Sequence, residues 1–300
     1  MLEFNRTFVP RYGEHVEILP GLSRVTCNNP GPLTFFGTNT FLIGQKEVAV
    51  LDPGPLDEAH LSSLMEAIGS RPVKAILVSH THIDHSPLAQ ALQDRTGAPI
   101  WGSTEHRRAE AFKDMPENPM QASADASYNP ARILKGGDRF TIDGMEIETL
   151  DTPGHTVNHI AFRIPEMKVV LTADHVMAWS TTVVAPPDGS MSDYMASLEL
   201  LTGFGDHRMF PAHGGEILNP SQYLPALKAH RLQREAAVME QVAAGVESIP
   251  EMVAVIYKDV DPKLHGAAAL NVLAHLEDLV VQKRVSCELP ISLSGKFIPA

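Results

Sequence analysis

Three histidines and one aspartate lie within six consecutive positions of this 300-residue chain. The cluster His80-Thr81-His82-Ile83-Asp84-His85 directly follows an apolar, β-branched run, residues 73–78. Such a run predicts a buried strand, which places the cluster on the turn beyond the end of that strand. Imidazole and carboxylate are preferred ligands of zinc and its first-row neighbours. The alternative, a polar surface loop, is disfavoured because burying four such groups without a metal is costly.

Composition narrows the class of protein. Hydrophobic residues make up 44% and charged residues 20% of the chain, which is typical of a soluble globular protein. The formal net charge of −12 disfavours a general affinity for nucleic acid or for an anionic membrane. Cys27 and Cys287 are the only cysteines and lie near opposite ends, so we expect no disulfide framework.

The expected location is the cytoplasm. Residues 1–10 contain no apolar core long enough for a signal peptide, and no apolar run approaches the length of a membrane span. We therefore expect no membrane partner, and a reducing compartment suits the two cysteines.

The order of predicted elements indicates two sheets flanked by helices. Strands are predicted within residues 1–52, strand–helix units within 73–113, and strands again within 139–172. This order differs from the regular alternation of one doubly wound parallel sheet. Helices are expected over 86–95 and 103–113. The proline-rich segment 114–131 predicts a loop, which could lie at the entrance of a site.

Three further ligand candidates follow predicted strands. They are His155 in Thr152-Pro153-Gly154-His155, Asp174 after residues 169–173, and His213 after residues 209–212. A single histidine after a strand is usually a surface or capping residue. The prediction that these candidates bind metal therefore rests on all three following the first cluster in this order along the chain.

The complete pattern resembles the signature of the metallo-β-lactamase fold superfamily. It comprises His80-x-His82-x-Asp84-His85, then Thr152-Pro-Gly-His155, Asp174 and His213-Gly214. Other stretches are similar to the branch with the hydroxyacylglutathione hydrolase-like enzymes and the β-lactamase-like protein 2 group. These stretches are residues 174–184, Tyr194–Leu198, His230-Arg231 with Arg234-Glu235, and the tail from Ile249. The resemblance covers almost the whole chain.

The resemblance implies an α/β fold, a four-layer αββα sandwich with a small C-terminal winged-helix-like domain. It implies a catalytic domain over 1–220, a connecting helix over 221–246 and the winged-helix-like domain over 247–300. It also implies two metal sites at one edge of the sheets. Their ligands would be His80, His82 and His155 at the first site, Asp84, His85 and His213 at the second, and Asp174 bridging both.

These donors suit two Zn²⁺ ions per chain, with Mn²⁺ or Fe²⁺ as alternatives. Two zinc ions would convert a bridging water into hydroxide near neutral pH, with Asp84 and Asp174 as the catalytic carboxylates. Di-iron flavoproteins of the superfamily carry glutamate at the position of His82. A hydrolase is therefore favoured over an enzyme that reduces oxygen or nitric oxide.

Neighbouring residues supply substrate-contact candidates. The hydroxyl or amide groups of Ser180 and Thr182 could hold a substrate oxyanion, although capping a turn is an equal alternative. His175 could orient a ligand or donate a proton, but a structural role is the stronger alternative. The resemblance places His230 near the site mouth, whereas surface packing is its default role. Ala173 stands where the superfamily commonly has glycine.

The favoured function is hydrolysis of a small ester, thioester or lactone. The alternative is a metal-dependent endoribonuclease of the β-lactamase-like protein 2 type, with RNA as its partner. A third hypothesis, from a different class of function, is a non-catalytic winged-helix protein that binds nucleic acid or has a regulatory role. Residues 247–300 contain seven acidic and five basic residues, which disfavours phosphate contact. This region is expected to wall the active site or to join a homodimer. No cluster of lysine and arginine suited to glutathione is evident.

Overall fold

Two face-to-face β-sheets form the centre of the fold in a computed structural model that describes residues 2–112 and 123–300. The first sheet has seven strands in chain order: β1 (Val16–Leu19), β2 (Leu22–Thr26), β3 (Asn39–Ile43), β4 (Val48–Leu51), β5 (Val73–Val78), β6 (Ile100–Gly102) and β7 (Arg132–Ile133). The second contains β8 (Arg139–Ile142), β9 (Met145–Asp151), β10 (Ile160–Ile164), β11 (Val169–Ala173) and β12 (Arg208–Pro211), ordered β12-β11-β10-β9-β8.

Helices cover both outer faces of this pair of sheets. They are α1 (Glu58–Ile68), α2 (Leu88–Thr96), α3 (Met191–Thr202), α4 (Pro220–Ala243), α5 (Ile249–Ile256) and α6 (His265–Val281). The first two pack on the seven-stranded sheet, and α3 and α4 pack on the five-stranded sheet. The predicted αββα sandwich is therefore confirmed. No helix in the described part of the chain is long and apolar enough to cross a membrane.

Side-chain alternation explains the layers. In β5, Ala75 and Leu77 enter the core between the sheets, while Ile76 and Val78 pack against the α1–α2 layer. Successive side chains of a strand point to opposite faces, so a continuously apolar strand can be buried on both. The same run of residues thus supports both layers and ends at the histidine cluster.

The C-terminal region forms its own core with help from the rest of the chain. Helices α5 and α6 pack with a hairpin, β13 (Val285–Cys287) and β14 (Phe297–Pro299). Val238 and Val242 of α4 and the side chain of Phe112 belong to the same buried cluster. The C-terminal region is therefore packed on the catalytic part rather than hanging from a linker.

The predicted helix over 103–113 is wrong for its described residues. Residues 103–109 contain no helix, and only Glu110–Phe112 form a short 3₁₀ turn. Tertiary contacts replace the helical ones: the amide of Ala109 donates to the carbonyl of Pro187, and Nε2 of His106 lies 3.3 Å from Oδ1 of Asp188. Half of the predicted loop, residues 114–122, lies outside the described residues. In the remainder, Ala124 pairs with His82 in an isolated bridge.

We predict that Leu77→Ala lowers the free energy of unfolding by about 2–5 kcal/mol, because it leaves a cavity between the two sheets. Leu77 is completely buried, whereas the side chain of Leu200 on α3 is 43% exposed. The matched control Leu200→Ala should change stability by only about 0.5 kcal/mol or less. Chemical unfolding followed by circular dichroism measures both, and equal effects would contradict the assigned core.

Candidate metal centre

The candidate ligands meet at one edge of the two sheets because each follows a strand that ends there. His80, His82, Asp84 and His85 follow β5, and Asp174 and His213 directly follow the parallel neighbours β11 and β12. Carboxyl ends of parallel strands lie at the same sheet edge. His155 lies in the turn between β9 and β10. The structure thus brings all seven predicted ligands together.

Glycine makes the His155 turn possible. Gly154 has a φ of 133°, and a Cβ at this position would overlap the backbone of Tyr194 on α3. Only a residue without a side chain fits that approach. The turn also places Nε2 of His155 3.0 Å from Nδ1 of His82.

Two three-residue groups can each hold one ion. Nδ1 of His82 lies 3.1 Å from Nε2 of His80, and with His155 these atoms form the first group. In the second group, Oδ2 of Asp84 lies 3.6 Å from Nε2 of His85 and 3.3 Å from Nε2 of His213. The donor atoms within each group lie within 4.8 Å of one another.

Asp174 lies between the two groups. Its Oδ2 is 3.7 Å from Nε2 of His155 and 3.6 Å from Nε2 of His85, and its Oδ1 is 3.4 Å from Nε2 of His213. Oδ1 of Asp174 and the Nε2 atoms of His85 and His213 are buried without a hydrogen-bond partner in the described residues. Buried polar atoms are normally satisfied, so these atoms fit a bound cation. Imidazole and carboxylate donors suit a divalent first-row metal.

The charges of the two groups differ in the metal-free protein. Burial opposes a charge on His213, but Asp174 and Asp84 outweigh it and raise the pKa of His213 to about 10. Burial and neighbouring His155 lower the pKa of His82 to about 3. The first group therefore offers neutral imidazoles, and the second holds protons that a cation would displace.

The surrounding shell fixes the ring orientations. Nδ1 of His85 donates to Oδ2 of Asp52 at 3.1 Å, Nδ1 of His155 donates to the carbonyl of Val183 at 2.7 Å, and Nδ1 of His213 donates to the carbonyl of Gly37 at 3.2 Å. Each bond turns the Nε2 lone pair of its ring toward the centre. Nδ1 of His80 contacts Oγ of Ser79 at 3.0 Å, and that hydroxyl donates to Asp52.

Asp52 is the functional residue that sequence reasoning missed. Its carboxylate also accepts from the amide of Ser79 at 2.8 Å, and its φ of 50° lies in the left-handed region. An aspartate buried directly after a strand, beside the ligand-bearing strand, is the signal that could have identified it.

The substrate-contact candidates fall into two environments. His175 and Thr182 are buried behind Asp174: Oγ1 of Thr182 donates to the carbonyl of Asp174 at 2.7 Å, and His175 packs on the ring of Tyr194. Burial lowers the pKa of His175 to about 3, so it is neutral. Ser180 and His230 instead line a pocket beside the centre.

Two further neighbours shape the turn that carries Asp174. Nε2 of His159 accepts from the amide of Asp174 at 3.3 Å while its Nδ1 contacts Oγ1 of Thr152 at 2.8 Å. Ala173 has a φ of 45°, a backbone region where a side chain is strained. The methyl group of Ala173 does not separate the candidate ligands, because Asp174 still lies within 3.7 Å of three ligand rings.

A two-sheet sandwich with two adjoining groups of metal donors at its edge defines a class of metal-dependent hydrolases. Residues 33–213 match the family model described as Metallo-beta-lactamase superfamily, and residues 248–288 match the Beta-lactamase associated winged helix domain. The chain therefore belongs to the metallo-β-lactamase superfamily and is a metal-dependent hydrolase. The predicted C-terminal winged-helix domain is confirmed by the second match.

Individual relatives refine this placement. A Beta-lactamase-like protein 2 homolog of Drosophila melanogaster is 28% identical over 281 residues, covering 87% of this chain and 91% of that protein. An atrochrysone carboxyl ACP thioesterase of Aspergillus chevalieri is 26% identical over 275 residues, covering 90% and 82%. The predicted resemblance to the β-lactamase-like protein 2 group is confirmed.

Solved structures show the same fold. A metallo-beta-lactamase family protein of Thermus thermophilus matches with a TM-score of 0.75 at 24% identity, over 95% of this chain and 100% of that one. A Beta-lactamase domain protein of Burkholderia ambifaria matches with a TM-score of 0.78 at 21% identity, over 97% and 95%. Both similarities extend through the C-terminal region as well as the sandwich.

We predict that Asp52→Asn weakens metal binding about 10- to 100-fold, because an amide no longer supplies the charge that orients His85 and raises its basicity. Asparagine keeps the shape and tolerates the left-handed backbone. Competition with a chromophoric chelator measures the affinity. The control Asp94→Asn, at an exposed position of α2, should bind metal like the wild type. Equal affinity of the Asp52 variant would contradict the orienting role.

Metal binding should also release about two protons per chain at pH 7.5, because only neutral imidazole is a ligand. The pKa values of His85 and His213 are raised above their ordinary value, so both rings are protonated before metal enters. Affinity should accordingly rise with pH until these groups are deprotonated. Titration calorimetry in buffers of different ionisation enthalpy counts the protons, and a binding enthalpy independent of buffer would contradict this assignment.

Proposed function

We propose that this chain is a binuclear zinc hydrolase acting on a small ester, thioester or lactone. The observation that carries the proposal is the position of Asp174, within 3.7 Å of donor atoms from both three-residue groups. A carboxylate shared in this way suits two ions better than one. Imidazole-rich donor sets suit zinc, while Mn²⁺ and Fe²⁺ remain the alternatives.

The proposed ligands are His80, His82 and His155 for one ion, Asp84, His85 and His213 for the other, and Asp174 for both. When bound, such a pair of ions makes water more acidic and polarises the scissile carbonyl. The other contributions come from the chain itself. The side chain of Asp84 is 22% exposed, and His85 and His213 keep its carboxylate ionised. It can therefore accept a hydrogen bond from the attacking water and hold its orientation.

Burial of the ligand rings supports the same conclusion. His80, His85 and His213 are completely buried, whereas His82 and His155 are each 9% exposed. Solvent therefore reaches the centre on the side of His82, His155 and Asp84, while His80, His85 and His213 lie on its buried side. A substrate enters from the solvent side, and the protein excludes bulk water from the buried side.

A carbonyl substrate is favoured over RNA on two grounds. The formal net charge of −12 repels a polyanion, and similar proteins include one named as an ACP thioesterase. A non-catalytic winged-helix protein is disfavoured, since a complete donor set would have no purpose in it. The cytoplasmic location, the domain boundaries and the homodimer stay predictions.

We predict that the zinc-reconstituted protein holds about two ions per chain and hydrolyses at least one ester, thioester or lactone. His82→Ala should hold about one ion and lose at least about 100-fold in kcat/KM, because the first group loses its central donor. Mass spectrometry of the metals and a panel of carbonyl substrates, β-lactams and single-stranded RNA supply the measurements.

The control His15→Ala replaces an exposed histidine directly before the edge strand β1, outside the centre. It should keep both ions and full activity. Well under one ion in the wild type would contradict the binuclear proposal. RNA cleavage that requires His82, with no carbonyl substrate turned over, would replace the ester proposal by the phosphodiester alternative.

A further inference from the structure

A pocket beside the metal centre concentrates positive charge in this acidic protein. It has a volume of about 310 Å³ and lies between residues 177–183, helix α4 and the C-terminal helices. Its basic lining residues are Arg6, His230, Arg231 and Arg234, and no aspartate or glutamate of the described chain lines it. The formal net charge of the whole chain is −12. The pocket therefore differs in sign from the average surface.

The pocket and the metal centre share the segment 180–183 as a wall. Val183 lines the pocket, and its carbonyl oxygen accepts the Nδ1 hydrogen of His155. Arg231 donates to the carbonyl of Thr182, whose Oγ1 donates to the carbonyl of Asp174. A ligand in the pocket is thus one backbone segment away from two candidate metal ligands.

The three arginines differ in their burial and in the hydrogen bonds that they already make. Arg231 is 3% exposed and already committed, with one bond to Thr182 and its guanidinium 4.7 Å above the ring of Tyr194. Arg234 is half-buried, donates through Nη1 to the carbonyl of Ile256 at 3.0 Å and lies 4.8 Å above the ring of Tyr257. A guanidinium has five N–H donors, so a preoriented Arg234 can still bind an oxyanion. Arg6 is exposed at the rim.

His230 is a half-buried ring next to two of these arginines. Burial, Arg231 and Arg234 lower its pKa to about 4, so the ring is neutral at pH 7. Nδ1 of His230 is buried without a partner among the described residues. Burial is the largest cause of this shift, and the two arginines that add to it also favour an anion at the same place.

Most of the rest of the lining is apolar, and Ser180, Thr181 and Asn271 are its polar members. Tyr257, Leu264 and Ala268 come from the C-terminal region, and Leu33 and Trp179 come from the catalytic part. A mostly apolar concave lining with a few placed charges recognises a small molecule better than a polynucleotide backbone, which needs an extended basic groove.

We propose that this pocket binds a carboxylate carried on an apolar chain, so that the preferred substrates are esters or thioesters bearing a second, acidic end. Arg234 is the residue that would pair with the carboxylate, and Arg6 would add attraction at the rim. The catalytic part of this inference rests on the proposed hydrolase function. The binding part does not, because it concerns residues outside the metal centre.

The kinetic test compares mono-4-nitrophenyl adipate with neutral 4-nitrophenyl hexanoate on the zinc-loaded full chain. The wild type should prefer the charged ester. Arg234→Met should lower the ratio of kcat/KM between the two esters roughly 10- to 100-fold, mainly through KM, because a charge-assisted hydrogen bond is lost. Arg234→Lys should restore part of the ratio. The control Arg95→Met, at an exposed position of α2, should leave the ratio unchanged.

Arg234→Met also removes the hydrogen bond to the carbonyl of Ile256, so a second variant tests the pocket without that loss. Arg6→Met changes only an exposed side chain and should lower the ratio roughly two- to fivefold. An unchanged ratio in both Arg6→Met and a folded Arg234→Met would overturn the proposal.

Direct binding of octanoate and octanamide by calorimetry separates the pocket from the metal centre. Octanoate should bind at least about tenfold more weakly to Arg234→Met than to the wild type, and octanamide should be affected less. Octanoate binding that survives Arg234→Met but is lost in His82→Ala would place the acid on the metals and overturn the proposal.

Two further outcomes are distinct. No ester turnover by the wild type would contradict the proposed function, while Arg234-dependent octanoate binding would still support the pocket. Cleavage of single-stranded RNA that depends on Arg234, with octanoate binding unaffected, would overturn the small acid in favour of a phosphate backbone.

Discussion

Burying five imidazoles and two carboxylates at one sheet edge is the constraint on which this structure depends. Asp174 lies between both groups of candidate ligands, within 3.7 Å of three different rings. Its ionised form is held by His213 and His85, which keep its pKa well below the ordinary value despite burial. Without cations or protons to compensate them, such carboxylates would oppose folding. The seven candidate ligands are therefore stable at this edge only together, with their rings oriented by Asp52 and by backbone carbonyls.

The local part of this set could be read from the sequence. Four ligands follow one strand within six positions, so their proximity needs no knowledge of the fold. The positions of His155, Asp174 and His213 followed from a resemblance, since a lone histidine after a strand carries little information. Asp52 was missed because its contact with His85 spans 33 residues and depends on the parallel pairing of β4 and β5. Pairing of that kind is tertiary information.

Helix prediction failed where tertiary contacts outweigh propensity. Residues 103–109 contain good helix formers, yet Nδ2 of Asn158 bonds the carbonyl of Thr104 at 2.9 Å and Ala109 bonds Pro187. A short amphipathic pattern supplies only tenths of a kcal/mol per residue, which such contacts easily exceed. The same segment delivers Phe112 to the core of the C-terminal region. An extended path reaches that core, and a compact helix over these residues would not follow it.

This shared core changes how the C-terminal region should be regarded. Its net negative composition argued against a role in binding phosphate, and it was expected either to wall the site or to join two copies. Tyr257, Leu264 and Ala268 line the same pocket as Thr181 and Val183, so one small region contributes both to the buried core and to that pocket. The basic character of the pocket could not be read from the sequence, because Arg6 and Arg234 are 228 positions apart. A substitution that loosens α5 would therefore be expected to alter substrate preference before it alters the metal ligands, since no ligand lies on that helix.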